Sequence, residues 1–305
     1  MQIVAVLVFW KVTDVCTALL LSILLPIAGR PSEWGATVNA TASEVVGAVC
    51  AVLTVVLLQR LSGTVDLGRI GLTRKAFGTE TVLGFLVGMS EYLLLMFCFV
   101  YAKLFVVDRV DNHFPFAGAA LLALSFSVGE EIVFRGFIFQ KLEAKYGTGL
   151  AIVASSVVFG AYHIGGGTYG DHYLNAMTAG LTGGLLYSSA YLINRRLWLP
   201  IGIHFAWDFF AFVFWGLGWG SDKPLFVPLL MDLHLDLHKA PQSILMGDGL
   251  GLVESPISIV LDIFLSVVFL IIAVRHGQWK KRKFNLLPLY RVDGGIHKQD
   301  ADSQI

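Results

Sequence analysis

Two adjacent carboxylates and a guanidinium, Glu130, Glu131 and Arg135, stand inside an apolar run from Phe116 to Phe139. A charge at membrane depth costs at least about 2.5 kcal/mol, so such groups are kept for a function or for a buried pair. Helical spacing divides them. Residues four apart share a face and neighbours are rotated by about 100°. Glu131 therefore stacks with Arg135 in the favourable acid-first order, and Glu130 is left to face a cavity. Two further apolar segments bring polar groups of their own. One ends Phe159-Gly160-Ala161-Tyr162-His163; the other holds His204 and Asp208, again four apart. Taken singly, these are a structural ion pair, a helix-end histidine and a local hydrogen bond. Taken together, they describe a shared wet pocket in which a carboxylate and imidazoles could move protons.

A pocket of this kind needs a scaffold that carries three apolar segments past one point. Of the 305 residues, 56% are hydrophobic and 14% charged, and mean hydropathy is +0.71. Ordinary soluble domains carry about 25% charged residues. The expected fold is all-α, a polytopic membrane helix bundle of about eight transmembrane helices. About 20 apolar residues cross a bilayer as a helix. That length gives spans at Val4–Ile27, Glu44–Leu58, Val82–Phe105, Phe116–Phe139, Leu150–His163, Tyr173–Ile193, Leu199–Leu217 and Ile257–Val274. The two halves are not copies of each other, which weighs against an inverted-repeat transporter.

Positive charge sets the orientation. With both termini cytoplasmic, the inner segments hold Arg60, Arg69, Arg74, Lys75, Lys141, Lys145, Arg195, Arg196 and the basic run after Arg275. Only Arg30, Lys103, Arg109, Lys223 and Lys239 fall outside. Three regions are expected: N-terminal helices over 1–110, a core over 111–220, and an outer loop, last helix and basic tail over 221–305. The N-terminus lacks a basic run and a small-residue cleavage site and reads as a retained first helix. Net charge is zero, which gives nucleic acid no electrostatic hold.

Other polar positions have blander readings. Cys16, Cys50 and Cys98 lack motif spacing and are expected to pack, not to form disulfides. Glu91 and Asp262 are lone carboxylates within spans, and Lys11 and Asp14, three apart, could pair. Asn39-Ala40-Thr41 matches a glycosylation sequon in an outer loop. The segment Gly218–Ser255 reads as an acidic loop with a short interfacial helix. His172, His234 and His238, with Asp171, Asp232 and Asp236, could form a second metal site there, but a solvated acidic loop is the simpler expectation.

The three motifs carry a resemblance. Glu130-Glu131-Ile132-Val133-Phe134-Arg135, then Phe159 to His163, then His204-Phe205-Ala206-Trp207-Asp208, with the lead-in Leu197-Trp198-Leu199-Pro200-Ile201, resemble the CAAX-protease and bacteriocin-processing (CPBP) family. That family includes the Ras-converting CAAX prenyl endopeptidases. The resemblance implies an intramembrane endopeptidase acting on a hydrophobic or lipid-anchored peptide, with the lipid bilayer as its other partner and a bacterial inner membrane as its expected location. In that reading Glu130 and His163 position and deprotonate a water. His204 and Asp208 bind the developing oxyanion or share the water, and Glu131 with Arg135 holds the pocket.

The family's last motif often ends in Asn. Asp208 departs from it, and an ionised Asp only accepts, so Asp208 is expected to orient His204 or to be protonated. Zinc is the possible cofactor: Glu130, His163 and His204 make an O/N/N set with a vacant position. Family members have been described both as metalloproteases and as glutamate-type proteases. No His-Glu-x-x-His, Gly-x-Ser-x-Gly or Gly-x-Gly-Asp motif is present, which removes the usual rivals. A transporter using the buried cluster and a non-catalytic immunity or scaffold protein remain as alternatives. Leader peptides and peptide pheromones stand beside prenylated peptides as substrates.

Overall fold

The computed structural model describes residues 2–27, 32–61, 68–103, 105–110, 116–164, 173–215, 231–235 and 255–281. The described chain is a bundle of helices: α1 (Gln2–Ile27), α2 (Ser32–Leu61), α3 (Phe77–Tyr101), α4 (Phe116–Glu131), a π-helix (Ile132–Phe139), α5 (Gln140–Tyr146), α6 (Thr148–His163), α7 (Tyr173–Asn194), α8 (Trp198–Trp215) and α9 (Pro256–Arg275). α4, the π-helix and α5 form one continuous rod. Among the described residues, three helices are long and apolar enough to cross a membrane: Phe77–Tyr101, Phe116–Tyr146 and Pro256–Arg275. The chain is an integral membrane protein. α9 shows how its local sequence sets a boundary: Pro256 occupies the first turn, and Ser255 Oγ accepts from Ser258 N at 3.2 Å.

Three expectations are corrected. The all-α expectation misses a two-stranded antiparallel ladder between β1 (Phe105–Val110) and β2 (Met231–Leu235). β1 takes the end assigned to the third span, and β2 replaces the short interfacial helix. The cause is local: Phe105-Val106-Val107 are β-prone residues, and Met231-Asp232-Leu233-His234-Leu235 alternates in polarity. Asn39 lies inside α2, not in a loop, because that helix begins well before its apolar stretch. Cys16, expected to pack, is exposed; all three cysteines are free. The tail beyond 281 and most of the acidic segment lie outside the described residues, as do the side chains of Asp14, His172, His234 and His238.

Helices in lipid gain little from burying apolar surface against each other. Close backbone approach and polar contacts decide their pairing instead. Two helix pairs here use glycine for that approach. Between α3 and α8, a Cβ on Gly84 or Gly202 would collide with backbone, and one on Gly88 would strike Ile203 O. Between α6 and α7, a Cβ on Gly160 would lie 2.7 Å from Met177 O, and one on Gly184 2.8 Å from Ser156 Cα. These pairs hold α6 and α8, the carriers of both histidines.

One end of the bundle is tied by a polar clamp. The C-termini of α5, α7 and α9 meet there with the N-termini of α3, α6 and α8. Glu80 pairs with Arg196 and accepts from Asn194 at 3.0 Å. This pairing raises the Arg196 guanidinium above its ordinary value. Glu143 takes Arg195 at 2.5 Å, Lys280 at 2.9 Å and the Thr148 hydroxyl at 2.6 Å. Arg195 itself turns the chain from α7 into α8 in the left-handed region, at φ +58°, and its contacts to Glu143 and Gln278 offset that cost.

The glycine contacts give a local test. Gly184→Ala places a methyl group into the α6 backbone, whereas at the adjacent Gly183 the nearest atom to an added Cβ is Tyr187 Cε2 at an ordinary 3.6 Å. Thermal melting of the detergent-solubilised protein should show G184A destabilised by about 1–3 kcal/mol and G183A close to wild type.

Candidate active site

The rod of α4 and the π-helix delivers the first three polar groups. Glu130 and Glu131 are the last residues of α4, and Arg135 lies in the π-helix. π-Helical turns are rare and occur mostly as single-turn bulges, frequently at functional sites. This one runs eight residues, and every one of its side chains is buried, so packing on all sides supports the wider turn. The predicted pair forms: Arg135 Nη1 donates to Glu131 Oε1 at 2.9 Å, with both side chains at most 1% exposed. Arg135 Nη2 reaches α7 and donates to Gly184 O at 3.0 Å. The guanidinium also lies over the rings of Phe159, 4.4 Å from its centroid, and Tyr187, 5.1 Å.

Glu131 does more than neutralise Arg135. Its Oε1 also takes Nδ1 of His204 at 3.0 Å, and the His204 ring stacks on Tyr187, 4.4 Å between centroids and 14° from parallel. Glu131, not Asp208, therefore orients His204. Asp208 lies on the opposite side of the ring, with Oδ2 3.5 Å from Nε2. Sequence spacing did not identify Tyr187 or Gly184; the Gly180-x-x-x-Gly184 spacing was the one available sign of a tight helix contact nearby.

Glu130 faces the other way, as its rotation on the helix predicts. Its Oε2 lies 3.7 Å from His204 Nε2 and 4.0 Å from His163 Nε2. It has no hydrogen-bond partner among the described residues, and neither has Asp208 Oδ2. His163 hangs from the last turn of α6, where its Nδ1 donates to Phe159 O at 2.8 Å. Both histidines thus have Nδ1 engaged and Nε2 turned toward Glu130. The structure brings all six sequence candidates, Glu130, Glu131, Arg135, His163, His204 and Asp208, into one cluster. It is open on one side: the His163 side chain is 25% exposed, against 7% for Glu130 and His204.

Zinc can be tested against this geometry. Donor types and second partners suit it, since each histidine nitrogen away from Glu130 is fixed by an acceptor. The spacing does not. Tetrahedral zinc with bonds of 2.0–2.1 Å needs ligand atoms about 3.3 Å apart, and the separations here are 3.7 and 4.0 Å. No group of three or more His, Cys, Asp or Glu among the described residues is arranged to hold a metal ion.

Two other carboxylates, expected to be isolated, are not. Glu91 from α3 approaches Asp262 from α9, and Thr182 Oγ1 of α7 donates to Asp262 Oδ2 at 2.6 Å. The Thr182–Asp262 hydrogen bond ties α9 to α7.

Residues 112–210 match the family model described as type II CAAX prenyl endopeptidase Rce1-like. No curated protein and no solved structure was found to match the chain. The matched stretch is about a third of the chain, but it contains every residue of the cluster, from Glu130 to Asp208. Over residues 112–210 the chain is thus similar to the CAAX-protease (CPBP) family.

Proposed function

We propose that the protein is an intramembrane endopeptidase that hydrolyses a peptide bond in a hydrophobic or lipid-anchored peptide, with a water activated by Glu130. One observation carries the reading. A buried carboxylate oxygen without a partner faces two imidazole nitrogens at 3.7 and 4.0 Å. These separations are too long for direct hydrogen bonds, and a water placed among the three groups would give each a partner.

The chemistry follows from the donors and acceptors. His163, with its proton on Nδ1, offers the Nε2 lone pair to the water. Glu130 takes a proton from that water as its oxygen bonds to the scissile carbonyl carbon. The carbon–nitrogen bond then breaks, and Glu130 returns the proton to the departing amine. His204, protonated on both ring nitrogens, donates from Nε2 to the carbonyl oxygen as it gains charge. Glu131 and Arg135 fix the ring and do not exchange protons. Asp208 Oδ2 lies 3.5 Å from His204 Nε2 without a hydrogen bond to it and adds negative charge beside the ring. The topology we favour has eight spans with both termini cytoplasmic, which puts the polar clamp at the cytoplasmic end.

Two outcomes test the assignment. Glu130→Gln should lower kcat at least about a hundredfold on a fluorogenic prenylated peptide while melting like wild type. Glu131→Ala strands buried Arg135 and should cost about 3–5 kcal/mol of stability; full activity in either variant would sink the assignment. Cleavage should also persist in EDTA with protein that carries well under one metal ion per chain. One zinc per chain, with activity lost on chelation and restored by zinc, would overturn the glutamate version.

A further inference from the structure

α1 lies outside the matched stretch, yet it walls the site. Trp10 stacks on Tyr162, 5.2 Å between centroids and 15° from parallel, and meets the edge of Phe134. A Cβ on Gly129, the residue before Glu130, would sit 3.5 Å from the Trp10 ring. The next residue, Lys11, is exposed, and its ammonium lies 4.9 Å from the Tyr162 ring centroid. Tyr162 adjoins His163, the least buried histidine of the cluster, so Lys11 stands on the side where the cluster is most open. Among the described residues no carboxylate pairs with Lys11; Asp14, three residues on, has its side chain outside them. A lysine in an apolar helix is costly, and the ring contact offsets only part of that cost.

We propose that Lys11 is a substrate-recognition residue whose ammonium binds the C-terminal carboxylate of the peptide being cut. This rests on the endopeptidase reading above. The matched family is described by the CAAX substrate, a sequence that lies at a C-terminus. A peptide cut near such an end brings one obligatory anion with it into the membrane. An acidic side chain would have to be chosen at a particular position, whereas the terminal carboxylate is present on every such substrate. A cation at the mouth of the site is its natural partner.

The test compares a fluorogenic farnesylated peptide ending in a free acid with the same peptide ending in an amide. Wild type should cleave the acid form with about tenfold or greater kcat/KM, expressed through KM. Lys11→Met should bring the acid-to-amide ratio close to one, and Lys11→Arg should restore most of it. A wild-type ratio near one would overturn the proposal while leaving the peptidase intact. So would a K11M ratio equal to wild type, the result expected if Lys11 only pairs with Asp14 or holds a lipid phosphate. Cleavage of neither peptide by wild type would remove the peptidase reading and this proposal with it. Melting of K11M in detergent separates a lost ratio from a lost fold.

Discussion

A single carboxylate oxygen, Glu131 Oε1, receives both Arg135 and His204. A buried guanidinium is tolerable only beside a fixed anion, and a histidine can present one nitrogen reliably only if the other is held. Glu131 meets both needs at once. It joins the π-helix to α8, and Arg135 carries the connection on to α7 through Gly184 O. The positions of His204, Tyr187 and the rod itself follow from this junction. Glu130, one residue earlier and rotated away, is excluded from it and is thereby kept unpaired.

Such a junction also explains the glycines around it. Side chains that must meet over 2.9–3.0 Å leave no slack between the helices that bear them. α3 against α8 and α6 against α7 reach that closeness by removing Cβ atoms from the contact. In lipid, where apolar burial does not favour one helix neighbour over another, this is a direct way for sequence to specify a partner.

Much of the site was legible because helical periodicity is local. Glu131 and Arg135 pair as an i, i+4 rule requires, Glu130 points away from them, and most helix ends fall within a few residues of the apolar spans. What was not legible depends on neighbours distant in the chain. Nothing in the spacing says that Glu131 also holds His204, so Asp208 was the natural candidate for that task. The π-helix has no Pro to announce it and exists because eight buried side chains support it. Glu80 and Glu143, which no motif singles out, are the centres of the clamp. The ladder was lost because its two strands are separated by most of the bundle in sequence.

The clamp and the site lie at opposite ends of α6. Thr148, at one end, is bonded to Glu143 and Lys280, while His163 is the last residue of the other end. The helix is thus a lever about 22 Å long. A tilt of about 2.5° about its anchored end carries His163 about 1 Å, a displacement that can cost a reaction about a hundredfold. The contact that resists this rotation is the meeting of Gly160 with Gly180 and Met177 O, less than one turn from the histidine. Alignment of the site is therefore stiffest where two residues have no side chain at all, and a methyl group added there acts as a wedge at the long end of the arm.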